Sequence, residues 1–421
     1  MNSPSDSTKD IYLGKQPLID RAQAVIGYEL LFRNTADNFS VITSAKAATA
    51  DVACKAFAEL GLANALGNQK AFINVDEDFL CEDGIAEFLP KETVLLEVDA
   101  SQDISPRLLE RCGELRHGGY EFSVSGINEI SEPVSRLLHL ASYSKLDVSA
   151  VAANRNTSIV SRLRSSPTKL IANRVESLEE KKLCSDLGFD IFQGYFFAHP
   201  VIVEGRKLDT STQGLMRIIN LINQNADVAL IEAVFKSEPG LAINLLRLTN
   251  AVGMGAHSRI TSIRHAITVV GMRQIQRWLT LLLFSQTGGN ANPGNNPLMQ
   301  TAALRGCFME LLAARCYPAK RDLRDPAFIA GLMSYMPAAL GMTMTDILSQ
   351  IAVTSEVRLA LSHHEGELGL LLNLTENYDN ENIDATAALL KRFGNKITFQ
   401  TLGLCLSETI AWVQQLGREV E

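Results

Sequence analysis

The chain has 421 residues, of which 46% are apolar and 20% charged, a composition typical of a globular protein with two domains. Its net charge is −8, and the 28 acidic against 20 basic residues of positions 1–200 account for all of it, so no basic surface for nucleic-acid polymers is expected. The seven cysteines form no C-x-x-C pair and no apolar run is long enough to span a bilayer, so we expect a cytoplasmic protein with reduced thiols.

The first domain predicted from the sequence covers residues 11–203 and follows a polar stretch, residues 1–10, that predicts a disordered tail. In this domain, apolar runs typical of strands alternate with helical patterns. The runs are DIYLGKQPLI, VIGYELLF, KAFINVD, TVLLEVD, YEFSVSG, YSKLDVS, KLIANRV and DIFQGYFF. Eight such units predict a mainly parallel sheet closed into a short, TIM-like α/β barrel. Because only a short turn around Asp20 joins the first two runs, we expect them to pair antiparallel.

Polar side chains fall late in most of these runs. They are Glu29, Asn74, Glu97, Ser125, Asp147, Asn173 and Gln193. Any one of them could simply mark the end of a strand. As a set they predict a site, because the carboxyl ends of parallel barrel strands meet at one mouth.

The second half, residues 204–421, has helical periodicity almost throughout and predicts an all-α bundle. Its adjacent histidines, His363 and His364, would point about 100° apart on a helix and so cannot chelate one metal together. We expect them to pack or to form surface hydrogen bonds.

The motifs of the first half, taken in order, resemble the EAL domain of bacterial cyclic di-GMP signalling. KQPLIDRAQAVIGYELLFRN resembles the opening of that domain, FINVD its N-x-S strand, and LLEVD its E-L-T-E strand. SKLDVS, IANRVES and FQGYFFAHP then resemble its K-I-D, A-E-G-V-E-T and Q-G-Y motifs. Each match is weak, but their shared order from Lys15 to Pro200 is specific.

The second half resembles the HDOD domain, an HD-related helical module, through SEPGLAINLLRLTNAVGMGAHSRITSIRHAITVVGMRQI. Together the halves resemble the EAL–HDOD tandem of YuxH-like signal-transduction proteins. Where the HD relatives carry their metal-binding pair, this chain offers Ser334 and Tyr335.

The EAL resemblance implies hydrolysis of cyclic di-GMP by two divalent cations, whose ligands this chain keeps only in part. Glu29, Asn74 and Glu97 match three ligand positions and could hold at most one Mg²⁺. Four further residues match other family positions: Lys145, Asp147, Glu176 and Gln193.

Three departures from the family pattern remove carboxylates. Ser123 and Val124 stand where the family has two aspartates, and Asn173 stands for a glutamate. Two dications without a bridging carboxylate repel each other, so we expect no catalytic residues and a chain that is not an enzyme.

Nucleotide binding is a separate question with its own candidate residues. They are Gln16, Arg33, Arg174, Gln193, Tyr195 and Phe196, with Phe197 beside them. The arginines would contact phosphate or guanine, and the aromatic rings would stack on a base. In the alternative, Arg33 pairs with an internal carboxylate, the rings lie in the core, and Arg174 blocks the pocket at a position where the family has glycine.

The first functional hypothesis is a non-catalytic scaffold in a cyclic di-GMP pathway, acting through protein partners and without a cofactor, with oligomers allowed. The alternative is a receptor that binds cyclic di-GMP at the barrel mouth without hydrolysis. A residual phosphodiesterase is the third hypothesis.

Overall fold

The structure is a computed structural model that describes most of the chain. It covers residues 11–34, 57, 60–67, 69–81, 89–149, 157–199, 210–238, 241–243, 245–246, 262–285, 296–394 and 397–420. The predicted disordered tail, residues 1–10, lies outside the described residues. The chain divides into two compact units, Met1–His199 with Ile397–Ala411 and Pro200–Lys396 with Trp412–Glu421.

The first unit contains a closed barrel of eight strands in sequence order, which confirms the predicted fold. The strands are β1 (Ile11–Asp20), β2 (Val25–Asn34), β3 (Lys70–Val75), β4 (Val94–Asp99), β5 (Glu121–Ser125), β6 (Tyr143–Asp147), β7 (Lys169–Asn173) and β8 (Ile191–Gln193). Neighbouring strands from β2 to β8 are parallel.

Strand β1 runs antiparallel to both of its neighbours, β2 and β8, as predicted for the hairpin at the start. The hairpin turn is closed by the Asp20 carboxylate, which accepts the Ala24 N–H at 2.8 Å. Gln23 adopts a left-handed φ of 66° in this turn. The register sets Gln16 opposite Glu29 and therefore brings a polar side chain of β1 to the mouth.

An apolar cluster of Leu18, Phe72, Leu95, Ile171 and Ile191 packs inside the barrel. Side chains alternate between the two faces of a strand, so the residue two positions later on a parallel strand again points inward, one layer nearer the mouth. Polar residues occupy those positions: Asn74, Glu97, Asn173 and Gln193. The period of two therefore places the polar set at the mouth of the barrel.

Where the structure describes the barrel unit, its helices are α1 (Leu62–Ala65), α2 (Glu77–Cys81), α3 (Pro106–His117), α4 (Glu132–Leu140), α5 (Thr157–Leu163) and α6 (Leu178–Asp186). The Ser177 hydroxyl and the Glu180 carboxylate form a capping box that begins α6, satisfying backbone N–H groups that the helix leaves free. The run DIFQGYFF yields only a three-residue strand. Gly194, with φ 143°, ends it where a Cβ would collide with the Val175 carbonyl.

The second unit is helical, as predicted. In its described residues the helices with defined bounds are α7 (Thr210–Asn223), α8 (Val228–Ser237), α9 (Ile263–Val270), α10 (Met272–Ser285), α11 (Pro297–Cys316), α12 (Arg324–Met333), α13 (Met336–Leu340), α14 (Met344–Gln350), α15 (Ser355–His363), α16 (Gly366–Asp379) and α17 (Ile383–Arg392). Of the described helices, none is both long and apolar enough to cross a bilayer.

The last helix, α18 (Phe399–Val420), begins among residues of the barrel unit. The ring of Phe399 meets the Tyr12 ring edge-on at 6.2 Å, and the Ser407 hydroxyl donates to the Leu60 carbonyl. Ile397–Ala411 accordingly belongs to the barrel unit. The predicted domain limits themselves stay predictions.

Candidate functional site

A buried ammonium group lies between two carboxylates inside the barrel mouth. The Lys145 Nζ is 2.6 Å from an oxygen of Glu97 and 3.0 Å from an oxygen of Glu29. The Lys145 and Glu97 side chains are each 3% exposed. These three residues come from β6, β4 and β2, so the barrel closure brings them together across the interior.

Amide side chains complete the hydrogen bonding of Glu29. Asn74 donates its amide to one Glu29 oxygen at 2.6 Å, and Gln193 donates to the other. The same Gln193 amide nitrogen donates to the side-chain oxygen Oε1 of Gln16 at 2.9 Å. Five of the predicted site residues therefore form one connected network with Lys145.

The charges of this network shift each other's protonation. Burial alone would raise the pKa of Glu29, but the Lys145 ammonium and the amide donors outweigh it and lower that pKa. Burial raises the pKa of Glu97, and the Glu29 carboxylate adds to the effect. Burial would lower the pKa of Lys145, yet the two carboxylates raise it, so the lysine is charged.

The network opens into a cleft of about 290 Å³ at the carboxyl ends of the strands. Its rim includes Asp147, which accepts the Asn173 amide at 2.9 Å and lies 3.4 Å from the Arg174 guanidinium. Ser125 lines the same cleft, as predicted from its place at the end of β5. The cleft is therefore bounded by Glu29 of β2, by residues of the four consecutive parallel strands β4 to β7, and by the loops that follow them.

Asp99 also lines the cleft, although the sequence reasoning did not single it out. It follows Glu97 by two positions, and the period of two could have found it. Its carboxylate accepts the Ser101 N–H at 2.9 Å. Gly126, with φ 64°, lies so close to this carboxylate that a Cβ there would collide with it.

Ser123 and Val124, the positions of the family's two aspartates, lie on opposite faces of β5. Ser123 pairs in register with Glu97 and faces the interior, where it is fully buried. Val124 is also fully buried, but points away from the barrel interior. Only the first position could therefore have offered an oxygen to the mouth.

Several predicted residues are not brought to the cleft. Glu176 is exposed beyond β7, and its backbone N–H is held by the Glu180 carboxylate at 2.7 Å. Phe196 is 4% exposed and packs edge-on against Phe192, so it cannot present a face to a base. The Tyr195 hydroxyl donates to the Lys15 carbonyl at 3.3 Å.

Arg33 lies in β2 opposite Tyr12, but its side chain is outside the described residues. Its predicted contact with phosphate or guanine stays a prediction.

The divalent cations implied by the EAL resemblance do not fit the site as it is arranged. Both Glu29 and Glu97 are engaged by the Lys145 ammonium, and Asn74 donates to Glu29 through its nitrogen. Within the described ranges, no group of three or more His, Cys, Asp or Glu residues could hold a metal ion. The protein's own ammonium thus takes the oxygen ligands that Mg²⁺ would need.

In the helical unit, Ser334 and Tyr335 surround a buried guanidinium. Arg305 donates to the Tyr335 hydroxyl at 2.7 Å, to the Ser334 hydroxyl at 3.0 Å and to the Asp379 carboxylate at 3.0 Å. His363 and His364 contact different partners, Ser362 and Glu376, as their adjacency predicts. Where HD relatives carry their metal-binding pair, this chain therefore has a hydrogen-bond network around the Arg305 guanidinium.

Comparison with known proteins gives one family match and two relatives that align along most of the chain. Residues 208–365 match the family model described as HDOD domain. The chain is 25% identical over 413 residues to protein YuxH of Bacillus subtilis, covering 96% of this chain and 98% of that protein. It is 26% identical over 378 residues to cyclic di-GMP phosphodiesterase CdgJ of Vibrio cholerae, covering 89% and 86%.

Solved EAL structures are similar to somewhat less than half of the chain. The EAL domain of Mycobacterium smegmatis DcpA is 24% identical with a TM-score of 0.36, covering 44% of this chain and 90% of that one. The PaMucR phosphodiesterase in complex with c-di-GMP is 18% identical with a TM-score of 0.39, covering 48% and 98%.

The expectation that this chain is not an enzyme is contradicted by one of these relatives. CdgJ aligns with 89% of the chain and is named a cyclic di-GMP phosphodiesterase. The replaced aspartates therefore do not justify excluding the chain from the enzymes. With residues 208–365 matching the HDOD domain behind a closed eight-stranded barrel, and with two relatives aligned along most of its length, the chain has the organisation that its resemblance to the EAL–HDOD tandem implies.

Proposed function

We propose that this chain acts in cyclic di-GMP signalling by binding the dinucleotide at the barrel mouth. The observation that carries the proposal is the cleft of about 290 Å³, which gathers polar side chains at the carboxyl ends of the strands. Such convergence of polar groups in a concave site is typical of ligand binding. The relative named cyclic di-GMP phosphodiesterase supports the choice of ligand.

A tryptophan placed in the cleft tests this proposal. Asn128 is exposed and lines the cleft, so Asn128→Trp should fill it without disturbing the core. Glu129→Trp is the matched control, because Glu129 is the next exposed residue and is not among the residues that line the cleft. Calorimetric titration with cyclic di-GMP should give heat for the wild type and the control, and none for Asn128→Trp.

Two results would contradict binding at the mouth. Wild-type protein that gives no heat with high micromolar dinucleotide, with or without Mg²⁺, does not bind it. Equal affinity of both tryptophan variants and the wild type would show that the ligand binds elsewhere.

A phosphodiesterase is the second candidate, and the named relative is the observation that favours it. Hydrolysis would add water across one phosphodiester and release a linear dinucleotide with a terminal phosphate monoester. Incubation of cyclic di-GMP with the protein and Mg²⁺ or Mn²⁺, followed by chromatography, detects that product. Glu29→Gln should abolish its formation, and product formed equally by this variant would point to a contaminating enzyme.

The helical unit is proposed to carry the output through protein partners. The HDOD match, which follows the barrel in the chain, supports a separate output module. Hydrogen–deuterium exchange with and without cyclic di-GMP should change in residues 210–394 as well as at the mouth. Exchange that changes only in the barrel would count against this role.

A further inference from the structure

One residue of the mouth has a backbone conformation that its side chain disfavours. Arg174 follows β7 directly and has φ 59°, in the left-handed region. For a residue with a Cβ this conformation is strained, because the Cβ comes too close to the following carbonyl oxygen. In the described parts of the chain, the other non-glycine residues with positive φ lie in the β1–β2 turn or after helices: Gln23, Asn225, His364 and Glu381.

Neighbouring contacts impose this conformation on Arg174. The Asn173 side chain accepts the Arg174 N–H at 3.0 Å while its amide is bonded to Asp147. On the other side, the fully buried Val175 donates its N–H to the Gln193 carbonyl at 2.9 Å. The backbone on both sides is therefore fixed, and the residue between is held in the left-handed region.

The fold gains little from having an arginine at this position. The Arg174 side chain is 74% exposed, and its contact with Asp147, itself 37% exposed, is 3.4 Å long. Exposed ion pairs of this kind add little to stability because water and salt screen them. Glycine would adopt the same backbone without strain. Strain that the fold does not need is a mark of a functional position.

The charged residues that line the cleft indicate which ligand group Arg174 can bind. Of the described residues that line it, four are carboxylates, Glu29, Glu97, Asp99 and Asp147, and two are cations, Lys145 and Arg174. Lys145 is 3% exposed and engaged by two carboxylates, so its ammonium is not open to a ligand. Arg174 is thus the cation of the described cleft that can meet an anion from solvent.

We propose that Arg174 is the phosphate-binding residue of the mouth and exchanges its contact with Asp147 for a phosphodiester of the dinucleotide. The inference rests on the proposed function and adds the residue that recognises the anion. A guanidinium matches two phosphate oxygens with two parallel N–H donors, which a single ammonium cannot do. The fixed backbone keeps the base of the Arg174 side chain at the rim of the cleft.

Replacement by glycine separates ligand binding from stability. Arg174→Gly should keep or raise the melting temperature, since the strain is relieved, and weaken binding of cyclic di-GMP roughly tenfold or more. Arg174→Lys should bind with intermediate affinity, because it keeps the charge but not the paired donors. Gln23→Gly is the matched control: it relieves a similar φ of 66° in the hairpin turn and should leave affinity unchanged.

Salt dependence gives a second measurement. The wild-type affinity should fall with added NaCl more steeply than that of Arg174→Gly, because the variant has lost one charged contact. Wild-type binding with equal affinity and equal salt dependence in Arg174→Gly would overturn this inference alone. No binding by the wild type would overturn the proposed function, and this inference with it.

Discussion

The Lys145 ammonium lies 2.6 Å from the Glu97 carboxylate, and both side chains are 3% exposed. Buried opposite charges of this kind depend on each other, because either one left alone would be an uncompensated charge in the interior. The contact is therefore structural as well as part of the site.

Lys145→Met should destabilise the protein by about 3–5 kcal/mol, since it leaves Glu29 and Glu97 facing each other without a cation. Lys70→Met is the control. Lys70 pairs with Glu121 at 3.2 Å with 29% and 32% exposure, and its loss should cost about 1 kcal/mol or less. Unfolding in guanidinium chloride measures the free energy of unfolding of both variants. Similar losses of stability in the two would show that the buried ion pair contributes no more to stability than the half-exposed one.

Lys145→Met should also create a binding site for a divalent cation. Without the ammonium, Glu29 and Glu97 offer their oxygens to a hard dication, so Lys145→Met should bind Mn²⁺ more tightly than the wild type and melt at a higher temperature with it. Electron paramagnetic resonance of free Mn²⁺ measures the affinity. The double variant Lys145→Met/Glu97→Gln should lose the gain. Equal Mn²⁺ affinity in wild type and Lys145→Met would mean that Lys145 does not compete with the metal.

In the helical unit, Arg305→Met should cost about 3–5 kcal/mol, because Asp379 and the Tyr335 hydroxyl lose a buried partner. Arg264→Met is the matched control, since Arg264 is 63% exposed in its pair with Glu232. Replacing this exposed arginine should change the free energy of unfolding much less than Arg305→Met does. Chemical unfolding of the two variants tests the difference, and a small cost for Arg305→Met would be inconsistent with a buried network.

Asp325 should make the helical unit sensitive to acid. Burial would raise the pKa of Asp325, but its bonds to Arg273 and Arg277 outweigh burial and lower that pKa below the ordinary 3.8. The resulting stability is present above pH 3.8 and is lost as pH falls through the lower, folded-state pKa.

Asp325→Asn should therefore lose about 1 kcal/mol at pH 7, a value kept small because the side chain is 33% exposed, and the difference should shrink below pH 4. Asp322→Asn, which removes an exposed carboxylate nearby, is the control. Thermal unfolding across acid pH measures both variants. A difference that stays constant down to the lowest pH would rule out this origin.

The barrel and its polar mouth could be predicted from the sequence because both follow from periodicity. Alternation along each strand fixes which side chains point inward, and parallel strands bring their carboxyl ends to one edge. This is why Glu29, Asn74, Glu97 and Gln193 were expected together.

Other features depend on details that periodicity does not carry. The bridging of two carboxylates by Lys145 depends on distances across the barrel interior. Gly194 ends β8 early, so Phe196 turns into the core instead of facing the cleft. Glu176 lies beyond the left-handed turn at Arg174, which carries it away from the mouth.

The antiparallel strand β1 has a consequence for any shortened form of this protein. It lies between β2 and β8 and pairs with both, so a chain that starts after Asp20 would have an open sheet of seven strands. Two edges of unpaired backbone would then face solvent and invite association with other copies.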